Sequence, residues 1–291
     1  MENKFLNGCI RLLSGKESLI STLEAKLATE FEKRLFEAAI SNLLDAYNPL
    51  RFNNFAYATR ELVRHILQRL APDAEVLNCL WYKNETETKD GISRKQRVIY
   101  AIQGGLSDKY VTETLKIDTK AISKQIKSVV DNLSKHTHIQ EDTIDINIDK
   151  QDKYVNETLE SVADLFRVID ESRQAISGSL IDHIDQELVN VAISETIGEI
   201  DEIATHHTVD DITTEEVQVK AIDSQYITLT AYGSIGAELQ YGSNGDLDRG
   251  DGAILSHDFP FSCNLKSSVR APEVFLSEFT EIKVSNDDWY E

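Results

Sequence analysis

Cysteine is scarce: Cys9, Cys79 and Cys263 are the three in 291 residues. They lie far apart, form no C-x-x-C pair and leave an odd one over, which argues against a disulfide framework and a thiolate metal site. Reduced thiols are expected. No run of about 18 apolar residues occurs, so no transmembrane helix is expected, and the opening MENKF lacks the basic region, apolar core and small-residue cleavage site of a secretory signal. These absences lead to the expectation of a cytoplasmic protein with no membrane contact. P-loop, G-x-G-x-x-G, H-E-x-x-H and G-x-S-x-G patterns are missing too, which removes NTPases, dinucleotide enzymes, zincins and serine hydrolases. No D…ExK arrangement of a restriction-type nuclease is found, nor any internal repeat.

Positive charge is sparse only in one half. The net charge is −20, but residues 1–140 carry 21 Lys+Arg against 17 Asp+Glu, whereas residues 141–291 carry 9 against 33. The halves sit at +4 and −24. Within the first, residues 92–140 hold nine basic side chains against four acidic ones. Polyanion binding follows local Lys/Arg density, so the first half is suited to meet phosphate and the acidic half to be a scaffold, a partner surface or a metal-dependent site.

Periodicity predicts an α+β protein: an all-helical N-terminal part, a further helical segment and an antiparallel β-meander. Leu19, Leu23, Leu27, Phe31 and Leu35 suggest one helix over residues 16–47, with Ser14-x-x-Glu17 as a capping box and Asn48-Pro49 as its stop. A second helix is expected over 54–70, its stripe formed by Phe55, Ala58, Leu62 and Ile66. Short helices at 94–103, 108–115 and 119–134 have the layout of a helix-turn-helix unit. In the last of them Lys120, Lys124 and Lys127 share a face for phosphates, while Ile122, Ile126, Val129 and Leu133 lie on the other side. The acidic run 140–152 is read as a linker or edge strand, helical periodicity resumes over 155–206 with breaks at Gly178 and Gly198, and strands are expected at 216–222, 226–231, 237–241, 253–255, 259–265 and 279–284. The expected regions are 1–90, 91–140, 141–210 and 211–291.

Three constellations bear on chemistry. Arg60 and His65 fall in the second helix; histidine can move protons to and from a ribose 2′-OH, and arginine can stabilise phosphorane charge. Against that stands an ion-paired helix face, with Glu61 bound to Arg64 or His65. Glu195, Glu199, Asp201, Glu202, His206 and His207 are placed on one helical stretch, where they form either a solvated face or a metal cluster. Asp246, Asp248 and Asp251 among glycines are reminiscent of a calcium loop but lack its terminal glutamate, and a long hairpin loop is the better reading. No metal site and no cofactor are expected.

The Arg60-x4-His65 spacing resembles the RNase motif of HEPN domains, although Glu61 stands where that pattern commonly has Asn, Asp or His. The segments LRFNNFAYATRELVRHILQRLAPD (50–73), ETIGEIDEIATHH (195–207) and ELQYGSNGDLDRGDG (238–252) are similar to predicted pPIWI-associating nucleases of bacterial conflict and defence systems. That resemblance implies anti-phage defence, a nucleic-acid target and a defence-system partner protein. Two functions follow as expectations. One is a metal-independent endoribonuclease with Arg60 and His65 as catalytic pair, in a composite site formed by two helices or by the two protomers of a homodimer. The other is a non-catalytic subunit that binds nucleic acid through residues 92–135 and senses a partner.

Overall fold

A computed structural model describes residues 12–45, 47–137, 144, 146–194, 198–204 and 206–290. By contacts the chain divides into two units, one of residues 1–104 with 116–171 and one of 105–115 with 172–291. The architecture is α+β, helices first and an antiparallel sheet after them. Among the described residues no helix is long and apolar enough to cross a membrane.

In unit 1 the expected single helix over 16–47 is two, α1 (Glu17–Lys26) and α2 (Glu30–Leu44). Thr29 starts the second: its hydroxyl accepts from the Glu32 amide at 3.1 Å, and the Glu32 carboxylate accepts from the amides of Thr29 and Ala28 at 3.3 and 2.9 Å. A capping box satisfies amides that a helix start would leave bare, so the chain ends one helix and begins another there. The box expected at Ser14 is not formed; α1 is capped at Lys16 without a side-chain bond.

Helix α3 (Arg51–Leu70) follows, then the short α4 (Asp73–Asn78), α5 (Arg94–Gln103) and α6 (Thr119–Thr137). Helix α7 (Ile148–Ser194) is continuous through Gly178, against the expected break, and its first turn takes up part of the supposed linker or edge strand. A helical glycine costs only about 1 kcal/mol relative to alanine, which the buried residues flanking Gly178, Ile176 and Leu180, can offset. The core of unit 1 joins Phe36, Ala39 and Leu43 of α2 to Phe52, Phe55, Leu62 and Ile66 of α3, with Val98, Ile126, Val155 and Leu159 from α5, α6 and α7. Apart from Ala39, each such side chain stabilises by roughly 1.5–3 kcal/mol on full burial.

Glu32 ties α2 to α3. It is 2% exposed, and Arg69 Nε donates to it at 2.6 Å. Burial, the largest influence, pushes this carboxyl up, but the Arg69 bond and the two amides outweigh it and hold it below the usual glutamate range.

In unit 2, the helix α8 (Gly198–Asp201) precedes β1 (His206–Ile222), β2 (Tyr226–Tyr241), α9 (Asn244–Arg249), β3 (Ala253–Ser268), β4 (Ala271–Phe275) and β5 (Glu281–Val284). Of the six strand segments expected from alternation, 226–231 joins 237–241 in β2 and 253–255 joins 259–265 in β3, while 216–222 is the end of a longer β1 and 279–284 shortens to β5. Strand β4 was not expected, and the order is β1-β2-β3-β4 with β5 also on β3. Helical periodicity was expected as far as residue 206, yet His206 and His207 open β1 opposite Gln240 and Leu239. Ile227, Leu229, Ala231, Ile235 of β2 and Phe259, Phe261, Cys263, Leu265 of β3 form the buried face. Burial pushes the Cys263 thiol up to about 12, so it is an inert packing group at neutral pH. The edge strand β1 carries three register shifts and a row of acids, features that discourage pairing with another sheet.

Two glycines are required by close approach. Gly105 donates its amide to Asp223 in the β1–β2 turn at 2.9 Å, and a Cβ there would lie 2.5 Å from the Ser224 carbonyl oxygen. Gly233 faces a β1 bulge, where a Cβ would overlap the Thr213 carbonyl and press on Phe261.

Two outcomes test this packing. A carboxyl whose folded value is depressed contributes stability above the ordinary glutamate range and loses it as pH falls through the folded value. Glu32→Gln should therefore lower the unfolding free energy at pH 7 by about 2–3 kcal/mol, on the low side of a broken buried pair because Arg69 is partly exposed, and flatten the acid limb of the stability curve; unchanged denaturant midpoints would contradict it. Gly233→Ala should cost about 1–3 kcal/mol or more by overpacking, read as a lower thermal midpoint, whereas an unaltered melt would show that the strand spacing is wider than described.

Candidate functional site

Helix α3 buries Phe52, Asn53, Phe55, Ala56, Ala58, Thr59, Leu62, Val63, Ile66 and Leu67. Its solvent side is the row Tyr57, Glu61, Arg64 and Gln68, spaced four, three and four. Arg60 and His65 flank this row, half-buried, about 140° apart on an ideal helix. They cannot point in one direction from the same helix.

They are nonetheless connected. The Arg60 guanidinium lies 5.3 Å from the centre of the Tyr57 ring and donates to Glu61 at 3.1 Å. Arg64 donates through Nε to the same carboxylate at 2.9 Å, and its Nη2 is 2.9 Å from His65 Nε2. Arginine has donors only, so His65 Nε2 accepts here and the ring proton sits on Nδ1. On its far side the His65 ring meets Phe31 of α2 edge-to-face at 4.8 Å. Burial, the strongest influence on Glu61, raises its carboxyl, but the bonds from Arg64 and Arg60 prevail and hold it below the usual range. The ion-paired face is thus realised through Glu61 and Arg64, and it joins Arg60 and His65 in one network. Phe31 and Glu61 escaped the sequence reading as site residues, Phe31 because its place in the apolar pattern marked it as core; it is 56% exposed.

Lys120, Lys124 and Lys127 stand exposed on α6, opposite buried Ser123 and Ile126 and half-buried Ile122. The side chains of Val129 and Leu133 lie outside the described residues. The layout around them differs from the expected helix-turn-helix. Its middle element is a single π-helical turn, Tyr110–Thr114, which belongs to unit 2, whereas α5 and α6 share the core of unit 1.

The acidic constellations are dispersed or occupied. Glu195 lies outside the described residues; Glu199 and Asp201 are on α8, and Asp201 pairs with His207 at 3.2 Å. Residues 242–252 are not an open loop. Ser243 caps α9 in a reciprocal box with Asp246, which also pairs with Arg249, and Gly250 ends the helix in the left-handed region. The Ser243 bonds above all hold the Asp246 carboxyl below its usual range, and this carboxylate is already spent on capping. Asp211 and Asp258 approach each other over Gly236, their oxygens 2.5 and 3.2 Å from where a Cβ would stand. Among the described residues no group of three or more His, Cys, Asp or Glu is arranged to hold a metal ion.

No curated protein and no solved structure matches the chain. Two family models do, each described as a predicted pPIWI-associating nuclease, one over residues 24–162 and the other over 169–290. The seam between the matches falls inside α7, as does the division between the compact units. With both units covered and nearly the whole length matched, the chain belongs to the predicted pPIWI-associating nucleases.

Proposed function

We propose that the protein is a metal-independent endoribonuclease of a bacterial anti-phage defence system, with Arg60 and His65 as its catalytic pair. The observation that supports this most is a proton-transfer side chain and two arginines in one partly exposed network, in a chain of a predicted nuclease family. In the reaction, the substrate 2′-OH replaces Arg64 as the partner of His65 Nε2 and gives up its proton there. The 2′-oxygen attacks phosphorus to give a 2′,3′-cyclic phosphate, the bond to the 5′-oxygen breaks and that oxygen takes a proton from water, and Arg60 neutralises charge on the phosphorane oxygens. Since Arg60 and His65 diverge by about 140°, a composite site formed by two copies brings both to one phosphate. Lys120, Lys124 and Lys127 hold the backbone by charge, and a pPIWI protein of the same system is the partner, docked on the acidic half of the chain.

A second reading has its own support. Arg60 and Arg64 are both committed to Glu61, as in a purely structural ion-paired face, and the protein would then bind nucleic acid and sense a partner without cutting.

The two separate in a cleavage assay on labelled RNA with EDTA present. His65→Ala should lose about 100-fold to 10,000-fold in rate and Arg60→Ala a comparable amount, each with the cooperative unfolding transition retained. Full cleavage by both variants, or none by the wild type, favours the binding subunit. Independently, Lys120→Glu with Lys124→Glu should weaken binding and reduce the slope of log affinity against log salt by about one unit per lost phosphate contact; an unchanged salt series would take the α6 face out of the account.

A further inference from the structure

The network on α3 ends in aromatic rings on both sides. At one end Tyr57 is 54% exposed with the Arg60 guanidinium over its ring; at the other Phe31 is 56% exposed against the edge of His65. Between them lie Glu61 and Arg64, so six side chains from two helices form one continuous band: Tyr57, Arg60, Glu61, Arg64, His65, Phe31. Arg34, exposed one turn beyond Phe31 on α2, adds a further positive charge. Solvent-facing aromatics on a monomer are usually scattered singly. Here they alternate with guanidinium groups, and both rings belong to unit 1.

We infer that this band is a stacking platform for single-stranded nucleic acid, in which Tyr57 and Phe31 hold unpaired bases while Arg60, Arg64 and Arg34 meet the intervening phosphates. The inference rests on the nuclease reading for the class of ligand and goes beyond it in naming an unpaired strand and the two residues that select it. Every base offers a π-face, so aromatic platforms bind strands with little sequence preference, and a base-paired duplex hides those faces. The spacing is suitable. Tyr57 and His65 are eight helical residues apart, about 12 Å along α3, which is three to four times the roughly 3.4 Å rise of a stacked strand, so a segment of a few nucleotides spans the band. Glu61 does not defeat the charge balance: it neutralises one arginine, and by bonding Arg60 and Arg64 it fixes both guanidinium groups beside the rings.

The test is fluorescence anisotropy of the full chain with a labelled oligodeoxythymidine 20-mer, which lacks the attacking 2′-OH, and with a DNA duplex of equal length, across a salt series. The wild type should bind the single strand more tightly than the duplex. Phe31→Ala with Tyr57→Ala should weaken single-strand binding by about tenfold or more and leave the salt slope unaltered, because the phosphate contacts remain. Phe31→Trp with Tyr57→Trp should restore affinity, which a fold defect in the alanine variant would not predict. Equal binding by wild type and alanine variant, a preference for duplex, or no binding of the single strand by the wild type would each overturn the inference. Cleavage is not part of the readout, so a protein that binds in this way without cutting would refute the nuclease reading alone.

Discussion

The ion pair between Glu32 and Arg69 is the constraint on which the candidate site depends. Glu32 is the third residue of α2, where its carboxylate closes the capping box that makes α2 a separate helix, and the same carboxylate receives Arg69 from the last turn of α3. One buried charge therefore sets both where α2 begins and how it lies along α3. Phe31 is its neighbour in sequence and His65 is one helical turn before Arg69, so fixing the pair also places Phe31 against His65. A slip of one turn between the helices would separate the ring from the imidazole. It would also strand a carboxylate in the core, which is the larger penalty.

Much of this was legible from residue pattern. The stripe Phe55, Ala58, Leu62 and Ile66 identified the buried face of α3 and left Arg60 and His65 off it, as found. The lysine face of α6 followed from spacing alone. What failed did so for local reasons. Thr29-x-x-Glu32 carried a capping signal as good as the one read at Ser14, but an unbroken apolar stripe from Leu19 to Leu35 masked it. Gly178 was expected to break a helix because an isolated glycine is a weak helix former; a 47-residue helix with buried residues on both sides absorbs that cost. Strands were expected as short pieces, whereas β2 runs unbroken through Gly233 and Gly236, the places where a neighbouring carbonyl or carboxylate needs room. An ion pair of Glu61 with Arg64 or His65 was readable from spacing, but not that Glu61 would take Arg60 as well and that His65 would join through Arg64.

The charge division has a clear structural counterpart. The described residues of unit 2 hold the bulged, acidic edge strand β1 and the capped turn around Asp246, in which acids are used to terminate, cap and repel. Unit 1 holds the exposed lysines of α6 and the arginines of α3. A polyanion is attracted to the second set and repelled by the first, and this contrast is what supports the proposal that nucleic acid meets the helical part of the chain.

On the proposed reading, nucleic acid is held on the α2–α3 face. Photocrosslinking of the full chain to an RNA containing 4-thiouridine, followed by mass-spectrometric mapping of the modified peptides, tests it most directly. Crosslinks are expected on peptides that contain Phe31, Tyr57 or His65. Crosslinks confined to the strands of the C-terminal sheet, with none in α2 or α3, would contradict it.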